Sequence, residues 1–165
     1  MYSIKKYLSL VKFSHTIFAM PFAFIGFFLG IVHRQAFYLN MPENNTNVAI
    51  QHTYFTHQYI AEKFVLVIIC MVTARNAAMA FNRYLDRHFD ARNPRTAIRE
   101  IPKGIILPES ALRFVLINCL LFLLTTYFIN KICFYLAPIA LFVVLFYSYT
   151  KRFTALCHLV LGIGL

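Results

Sequence analysis

Charge of one sign is almost missing from this chain. Six Asp and Glu stand against sixteen Lys and Arg in 165 residues, and no acidic residue follows Glu109. Charged residues of both signs make up only 13% of the sequence, about half the usual share of a soluble domain. Cysteine is sparse as well. Cys70, Cys119, Cys133 and Cys157 stand singly in or beside apolar stretches with no C-x-x-C spacing, which excludes a zinc ribbon and a disulfide framework and leaves small buried hydrophobes. The histidines of the polar segment, His33, His52 and His57, lack metal-ligand spacing. The start, MYSIKKYLSLVKF, has no small-residue cleavage site, so the apolar block after it reads as a retained helix. The formal charge of +10 gathers at the ends of apolar blocks, leaving no soluble basic face for nucleic acid. That placement fits membrane topology and anionic lipid or substrate.

What is present is hydrocarbon. Hydrophobic residues make up 60% of the chain, with 18 Phe and 10 Tyr, and they come in long blocks. Such blocks specify an integral membrane protein, all-α, in one membrane domain over residues 1–165. Residues 1–12 alternate apolar and basic positions and suit a short helix on the membrane surface. A first span is expected over 13–32, bent at Pro21 and lining a cavity rather than facing lipid all round. An outer polar loop over 33–59 follows, and its Asn44-Asn45-Thr46 fits the short N-glycosylation pattern. A second span runs from about 61 to 81 and continues as helix to the residue before Pro94. A basic connection over 82–110 leads to a third span near 112–129 and a fourth near 132–149, an antiparallel hairpin with only Asn130-Lys131 between them. LCHLVLGIGL then begins a fifth apolar segment of ten residues, too short to span.

Twelve Lys and Arg fall on the side of the amino terminus, the connection from Arg83 to Arg113 and Lys151-Arg152, against Arg34, Lys63 and Lys131 on the other; Arg75 lies within a span. The positive-inside rule therefore puts the amino terminus and the connection in the cytoplasm.

The stretch FNRYLDRHFDARNPRTAIREIPKG carries Asn82, Asp86 and Asp90 at four-residue spacing. Each such step advances a helix by about 400°, so the three share a slowly drifting stripe, and Arg75 joins it within about 20°. Two carboxylates one turn apart repel each other. Mg²⁺, which binds through one or two carboxylates plus substrate phosphate oxygens, resolves the conflict. Arg92, Arg95, Arg99 and Lys103 follow, and guanidiniums around such a metal suit a diphosphate. The plainer alternative pairs Asp86 and Asp90 with Arg83 and Arg87 in a solvated helix end. It leaves Arg75 unexplained, because an ionised residue within a span is by default functional.

ARNAAMAFNRYLDRHFDARNPRTAIREIPKG resembles the first signature of the UbiA-type intramembrane prenyltransferases, Asn-x3-Asp-x3-Asp followed by Arg-Thr-x2-Arg. FSHTIFAMPFAFIG and FYSYTKRFTALCHLVLG look like two further blocks of that family in the same order. The wording is most similar to the 4-hydroxybenzoate polyprenyltransferase branch, with heme O synthases the nearest competitor. The CDP-alcohol phosphotransferases need Asp-Gly where this chain has Cys70-Met71, and that reading fails.

The resemblance implies that Asn82, Asp86 and Asp90 hold Mg²⁺ on a polyprenyl diphosphate as catalytic and metal residues. It implies Arg75, Arg95, Arg99, Lys103, Tyr147, Lys151 and Arg152 as diphosphate-binding, and His15 beside the aromatic acid. The reaction implied is prenyl transfer to an aromatic acceptor in quinone biosynthesis, at a bacterial inner membrane, with no obligatory protein partner. The family has nine spans and a second Asp-rich motif. The chain is therefore expected to be a truncated portion: four complete spans and the start of a fifth. A membrane cation carrier and a structural membrane subunit are the non-enzymatic alternatives.

Overall fold

The computed structural model describes residues 2–40 and 57–150. Five helices account for nearly all of it: α1 (Tyr2–Leu10), α2 (Phe13–Leu39), α3 (His57–Arg92), α4 (Pro108–Ile129) and α5 (Lys131–Thr150). Four of them, α2 to α5, are long and apolar enough to cross a membrane. The short surface helix and the four spans thus stand where hydropathy puts them.

The boundaries follow local chemistry. A turn at Val11-Lys12, with Lys12 at φ 44°, separates α1 from α2. α2 is longer than expected and carries the first seven residues of the expected outer loop, through Leu39. HRQAFYL is polar only at its start, and Phe37 and Leu39 continue the apolar pattern. α3 likewise begins at His57, so the connection between the two helices is shorter than 33–59; residues 41–56, with the glycosylation pattern, lie outside the described residues. Helix continues unbroken through Pro21 and Pro138. α3 stops at Arg92, just before Asn93-Pro94, as the restriction on a residue preceding proline requires. α4 opens with Pro108 at its first turn and Glu109 beside it. Proline lacks the N–H that is orphaned there anyway, and a carboxylate suits the positive end of the helix. At the far end, Asn130 is extended, its N–H capping the Thr126 carbonyl, and the chain reverses directly into α5.

α3 packs most extensively against α4. Ala77 and Ala80 face Ala111 and Val115 in a cluster completed by Leu10, Ile101 and Ile106, with Tyr7, Phe81, Phe114 and Cys119 against it. Small side chains let helix backbones approach closely where lipid supplies no hydrophobic driving force between spans. The surface helix joins this cluster through Tyr7, stacked on Phe114 with centroids 5.0 Å apart. α2 is held to α3 by aromatic rings, Phe24 and Phe27 lying 5.2 and 5.3 Å from Phe64. Its other large apolar residues, among them Phe22, Leu29 and Val32, are exposed.

Four polar residues within the spans are satisfied locally. Thr73 donates to the Ile69 carbonyl, Asn118 to Phe114, Thr125 to Leu121 and Thr126 to Leu123, at 2.6–2.8 Å. In a medium without water such back-bonding removes the cost of an unpaired hydroxyl or amide.

Candidate functional site

The cytoplasm-facing end expected from the charge count is built around the last five turns of α3. Taking Asn82 as zero, Arg75 lies at about 20°, Asp86 at 40°, Asp90 at 80°, Arg83 at 100° and Asn76 at 120°. Six polar side chains thus occupy roughly a third of the helix circumference. The drift matters: it carries Asp90 off the face of Asn82 and onto the face of Arg83.

That second face is covered by the connection over 93–107. It is a succession of turns, with Asn93 accepting from the N–H groups of Arg95, Thr96 and Ala97, and the Glu100 carbonyl accepting from Ile105 and Ile106. Gly104 takes φ 70° and closes onto the Ile101 carbonyl, a left-handed position that favours glycine. Thr96 Oγ1 donates to the Asp90 carbonyl at 3.0 Å, tying the first turn to the helix end. Two adjacent residues of opposite charge then plug back into α3. Arg99 Nη1 reaches both oxygens of Asp90, at 2.8 and 2.7 Å. Glu100 Oε2 accepts from Arg83 Nη1 at 2.8 Å. Asp90 and Arg83 are seven residues apart, two turns, and the long side chains of adjacent Arg99 and Glu100 reach both. The other Glu100 oxygen accepts from the Ser9 hydroxyl, bringing α1 into the same network.

For Arg83 and Asp90 these pairings differ from those of the solvated-end alternative. Arg83 serves Glu100, and Asp90 is served by Arg99. Arg87 donates to the Tyr84 carbonyl at 2.8 Å while its guanidinium lies 4.5 Å from the Tyr84 ring centroid. Both carboxylates of the network are largely withdrawn from water, with side-chain exposure of 9% for Asp90 and 14% for Glu100. Asp90 sits in the last turn of α3, where the helix dipole opposes an anion, and the Arg99 guanidinium offsets that penalty.

The Asn82 face has a different character. Arg75 Nε and Asn82 Oδ1 on this face, and Asn76 Oδ1 at the opposite edge of the arc, are buried atoms without a hydrogen-bond partner. Such groups cost about 1–3 kcal/mol each when left unmade. Three of them within two helical turns mark a place where a polar ligand would be stabilised. Asp86 is half-buried between this face and the Arg83–Asp90 face.

The structure brings Arg75, Asn82, Asp86 and Asp90 onto one arc and Arg99 onto Asp90. Arg95 and Lys103 are exposed in the connection, and Tyr147 is half-buried near the end of α5. His15 belongs to α2, with its side chain outside what is described; Lys151 and Arg152 lie outside the described residues. Sequence reasoning passed over Asn76, Ser9 and Glu100. Glu100 had a visible signal, being the only acidic residue between Asp90 and Glu109.

Among the described residues no three His, Cys, Asp or Glu side chains lie together. The donor set for a metal is instead two carboxylates and an amide. Hard oxygen donors of this kind suit Mg²⁺. The orphaned Asn82 Oδ1 and the half-buried Asp86 carboxylate are oxygens of the required type and fit that ion. Both Asp90 oxygens accept from Arg99, and they join such a site only by sharing or releasing that partner.

The chain matches the UbiA prenyltransferase family over residues 48–165. Among curated proteins it is similar to 4-hydroxybenzoate octaprenyltransferases. One from Actinobacillus pleuropneumoniae is 33% identical over 101 residues, covering 61% of this chain and 34% of that protein. One from Vibrio cholerae is 38% identical over 102 residues, covering 61% and 34%. The matched stretch thus spans about a third of the length of these relatives. Among solved structures, the apo structure of a UbiA homolog from Aeropyrum pernix K1 aligns with a TM-score of 0.66 at 28% identity, over 92% of this chain and 46% of that one. Helices, motif and match agree: this chain is an integral membrane protein of the UbiA prenyltransferase family.

Proposed function

We propose that this chain provides the Asp-rich face of a prenyltransferase site that transfers a polyprenyl group from polyprenyl diphosphate to an aromatic acid, 4-hydroxybenzoate. The support for the substrate pair is the likeness to 4-hydroxybenzoate octaprenyltransferases. The observation that carries the chemistry is the polar arc on α3, with buried, unpartnered Asn82 Oδ1 and Arg75 Nε beside Asp86 and Asp90. Apolar spans do not retain such atoms cheaply, and a diphosphate with its counter-ion would satisfy them.

The roles follow from charge and donor type. Asn82, Asp86 and Asp90 would hold Mg²⁺, which when bound neutralises charge building on the leaving diphosphate. Arg75 holds diphosphate oxygens by guanidinium hydrogen bonds from within the span. Arg99 holds the Asp90 carboxylate in place through two hydrogen bonds, and Arg95 and Lys103, exposed on the same connection, meet the anion as it arrives from water. The family resemblance assigns Tyr147, Lys151 and Arg152 to the diphosphate as well, a phenol and two cations. In the reaction the allylic C–O bond breaks and its electron pair leaves with the diphosphate. A ring carbon of the aromatic acid then bonds to the allylic carbon, and that ring carbon loses its proton. His15 is assigned to the aromatic acid. The apolar walls exclude water that would otherwise trap the allylic cation, and the site faces the cytoplasm of a bacterial inner membrane.

The test is photolabelling. The chain in liposomes with Mg²⁺ is exposed to a benzophenone-bearing prenyl diphosphate analogue. Labelling should be competed by unlabelled prenyl diphosphate and fall at least tenfold in Asp86→Asn. Labelling indifferent to both competitor and substitution would overturn the proposal.

A further inference from the structure

The Asp90 carboxylate has two claimants. One nitrogen of Arg99, Nη1, donates to both of its oxygens, at 2.8 and 2.7 Å. The side chain is 9% exposed and stands on the same arc as Asn82 and Asp86. A divalent cation held through Asp90 would take these same oxygens, next to a fixed positive charge and largely out of water, where like charges repel strongly. A cation that arrives alone therefore meets a carboxylate already engaged.

The pair is open on the arginine side. The Arg99 side chain is 32% exposed, and both contacts use Nη1, so the donors of Nη2 and Nε stand outside the pair. A guanidinium presents such donors in a planar fork that matches phosphate oxygens two at a time.

The backbone beneath Arg99 is held on both sides. Its N–H donates to the Thr96 carbonyl and its carbonyl accepts from the Lys103 N–H, each at 3.0 Å. Thr96 is itself tied to the Asp90 carbonyl through Oγ1. Glu100, the next residue, accepts from Arg83 at 2.8 Å and from Ser9, and its carbonyl takes the N–H groups of Ile105 and Ile106. The Arg83–Glu100 pair, with side-chain exposures of 7% and 14%, thus docks the connection on α3 without help from Arg99. Rotation of one side chain is enough to separate Arg99 from Asp90; the turns around it need not move.

We propose that Arg99 is a specificity-determining residue, which turns a bare divalent cation away from Asp90 and yields the carboxylate when a diphosphate arrives to receive the guanidinium. The diphosphate supplies oxygens that accept from Arg99 and negative charge that offsets both cations, so the site admits a divalent cation only in company with the diphosphate. Glu100 is the positioning residue that keeps Arg99 within reach of both anions. The inference rests on the prenyl-transfer reading and adds to it an order of binding.

The chain in liposomes is titrated with Mn²⁺, with and without a prenyl thiodiphosphate, and bound ion is read from the loss of the free-ion electron paramagnetic resonance signal. The unaltered chain should take up Mn²⁺ only with the diphosphate. Arg99→Gln should take it up alone, at least about tenfold more tightly than the unaltered chain does. Arg99→Lys, which returns the charge, should restore the requirement for diphosphate. Arg113→Gln removes an equal charge from an exposed position near the start of α4 and should change nothing. In Arg99→Gln the buried carboxylate lacks its counter-charge, so Mg²⁺ alone should raise the unfolding midpoint of that variant and leave the midpoint of the unaltered chain where it is. No gain in bare Mn²⁺ uptake by Arg99→Gln, with diphosphate-dependent uptake intact, would overturn this inference and leave the prenyl-transfer reading standing. An equal gain in Arg99→Lys or Arg113→Gln would do the same, as would an Arg99→Gln chain that Mg²⁺ does not stabilise. Absence of uptake by every chain in both conditions would overturn the two readings together.

Discussion

Removing the Arg99 guanidinium should harm the fold more than removing the carboxylate it serves. In Arg99→Ala the Asp90 side chain, 9% exposed, loses both hydrogen bonds and its counter-charge. Breaking a buried pair from one side costs about 3–5 kcal/mol. Arg99 is itself 32% exposed, and water reaching the vacated site brings the expectation to the lower end, about 3 kcal/mol. In Asp90→Asn the amide oxygen still accepts one bond, and the guanidinium left behind is the more hydrated partner. The loss should be about 1–2 kcal/mol. Because Asp90→Asn also removes the charge that makes Arg99→Ala costly, the double variant should be less destabilised than the sum by about 1–2 kcal/mol. The assay is equilibrium unfolding in mixed dodecyl sulfate and mild-detergent micelles, read by far-ultraviolet circular dichroism. Strict additivity, or an Asp90→Asn cost larger than that of Arg99→Ala, would refute the reasoning.

Three further outcomes follow from the same geometry. Glu100→Gln strips the counter-charge from buried Arg83 and loosens the 93–107 connection, so limited proteolysis at Arg95 and Arg99 should quicken severalfold while helix content stays unchanged; an unaltered cleavage rate would count against the anchoring role. Gly104→Ala should cost about 1 kcal/mol, because φ 70° is strained for any residue with a Cβ, and no neighbour stands in the way; an unchanged unfolding midpoint would show that the turn relaxes. Asn82→Leu removes a buried oxygen with no partner, so stability should hold or rise slightly while photolabelling by the prenyl diphosphate analogue falls at least tenfold; a stability loss above 2 kcal/mol would mean that Asn82 holds the fold rather than a ligand.

The spans were legible because bilayer thickness demands long apolar runs, and Pro94 marks the end of α3 from sequence alone. The stripe of Arg75, Asn82, Asp86 and Asp90 was legible for the same reason, being helical arithmetic. The pairing across it was not. Asp90–Arg99 and Arg83–Glu100 join positions nine and seventeen residues apart, and only the turns of the 93–107 connection bring them together. Ser9 meets Glu100 from 91 residues away, beyond any local pattern. α2 outran its expected end because helix hydrogen bonding tolerates His33-Arg34-Gln35 once apolar residues resume beyond them. Arg34, Lys63 and Lys131 were visible singly as topology signals. Their meeting around one cavity between α2, α3 and the α4–α5 hairpin depends on the tilt and packing of three elements, which periodicity does not encode.

The central claim is that the α3 stripe binds a divalent ion together with a lipid diphosphate. The most direct measurement is Mn²⁺ binding, as a paramagnetic substitute for Mg²⁺, followed by electron paramagnetic resonance on the chain in liposomes with and without a prenyl thiodiphosphate. Tight Mn²⁺ uptake should require the diphosphate and disappear in Asp86→Asn. Uptake of equal strength without diphosphate would contradict the claim and favour a cation carrier, and no uptake in either condition would remove the metal from the account.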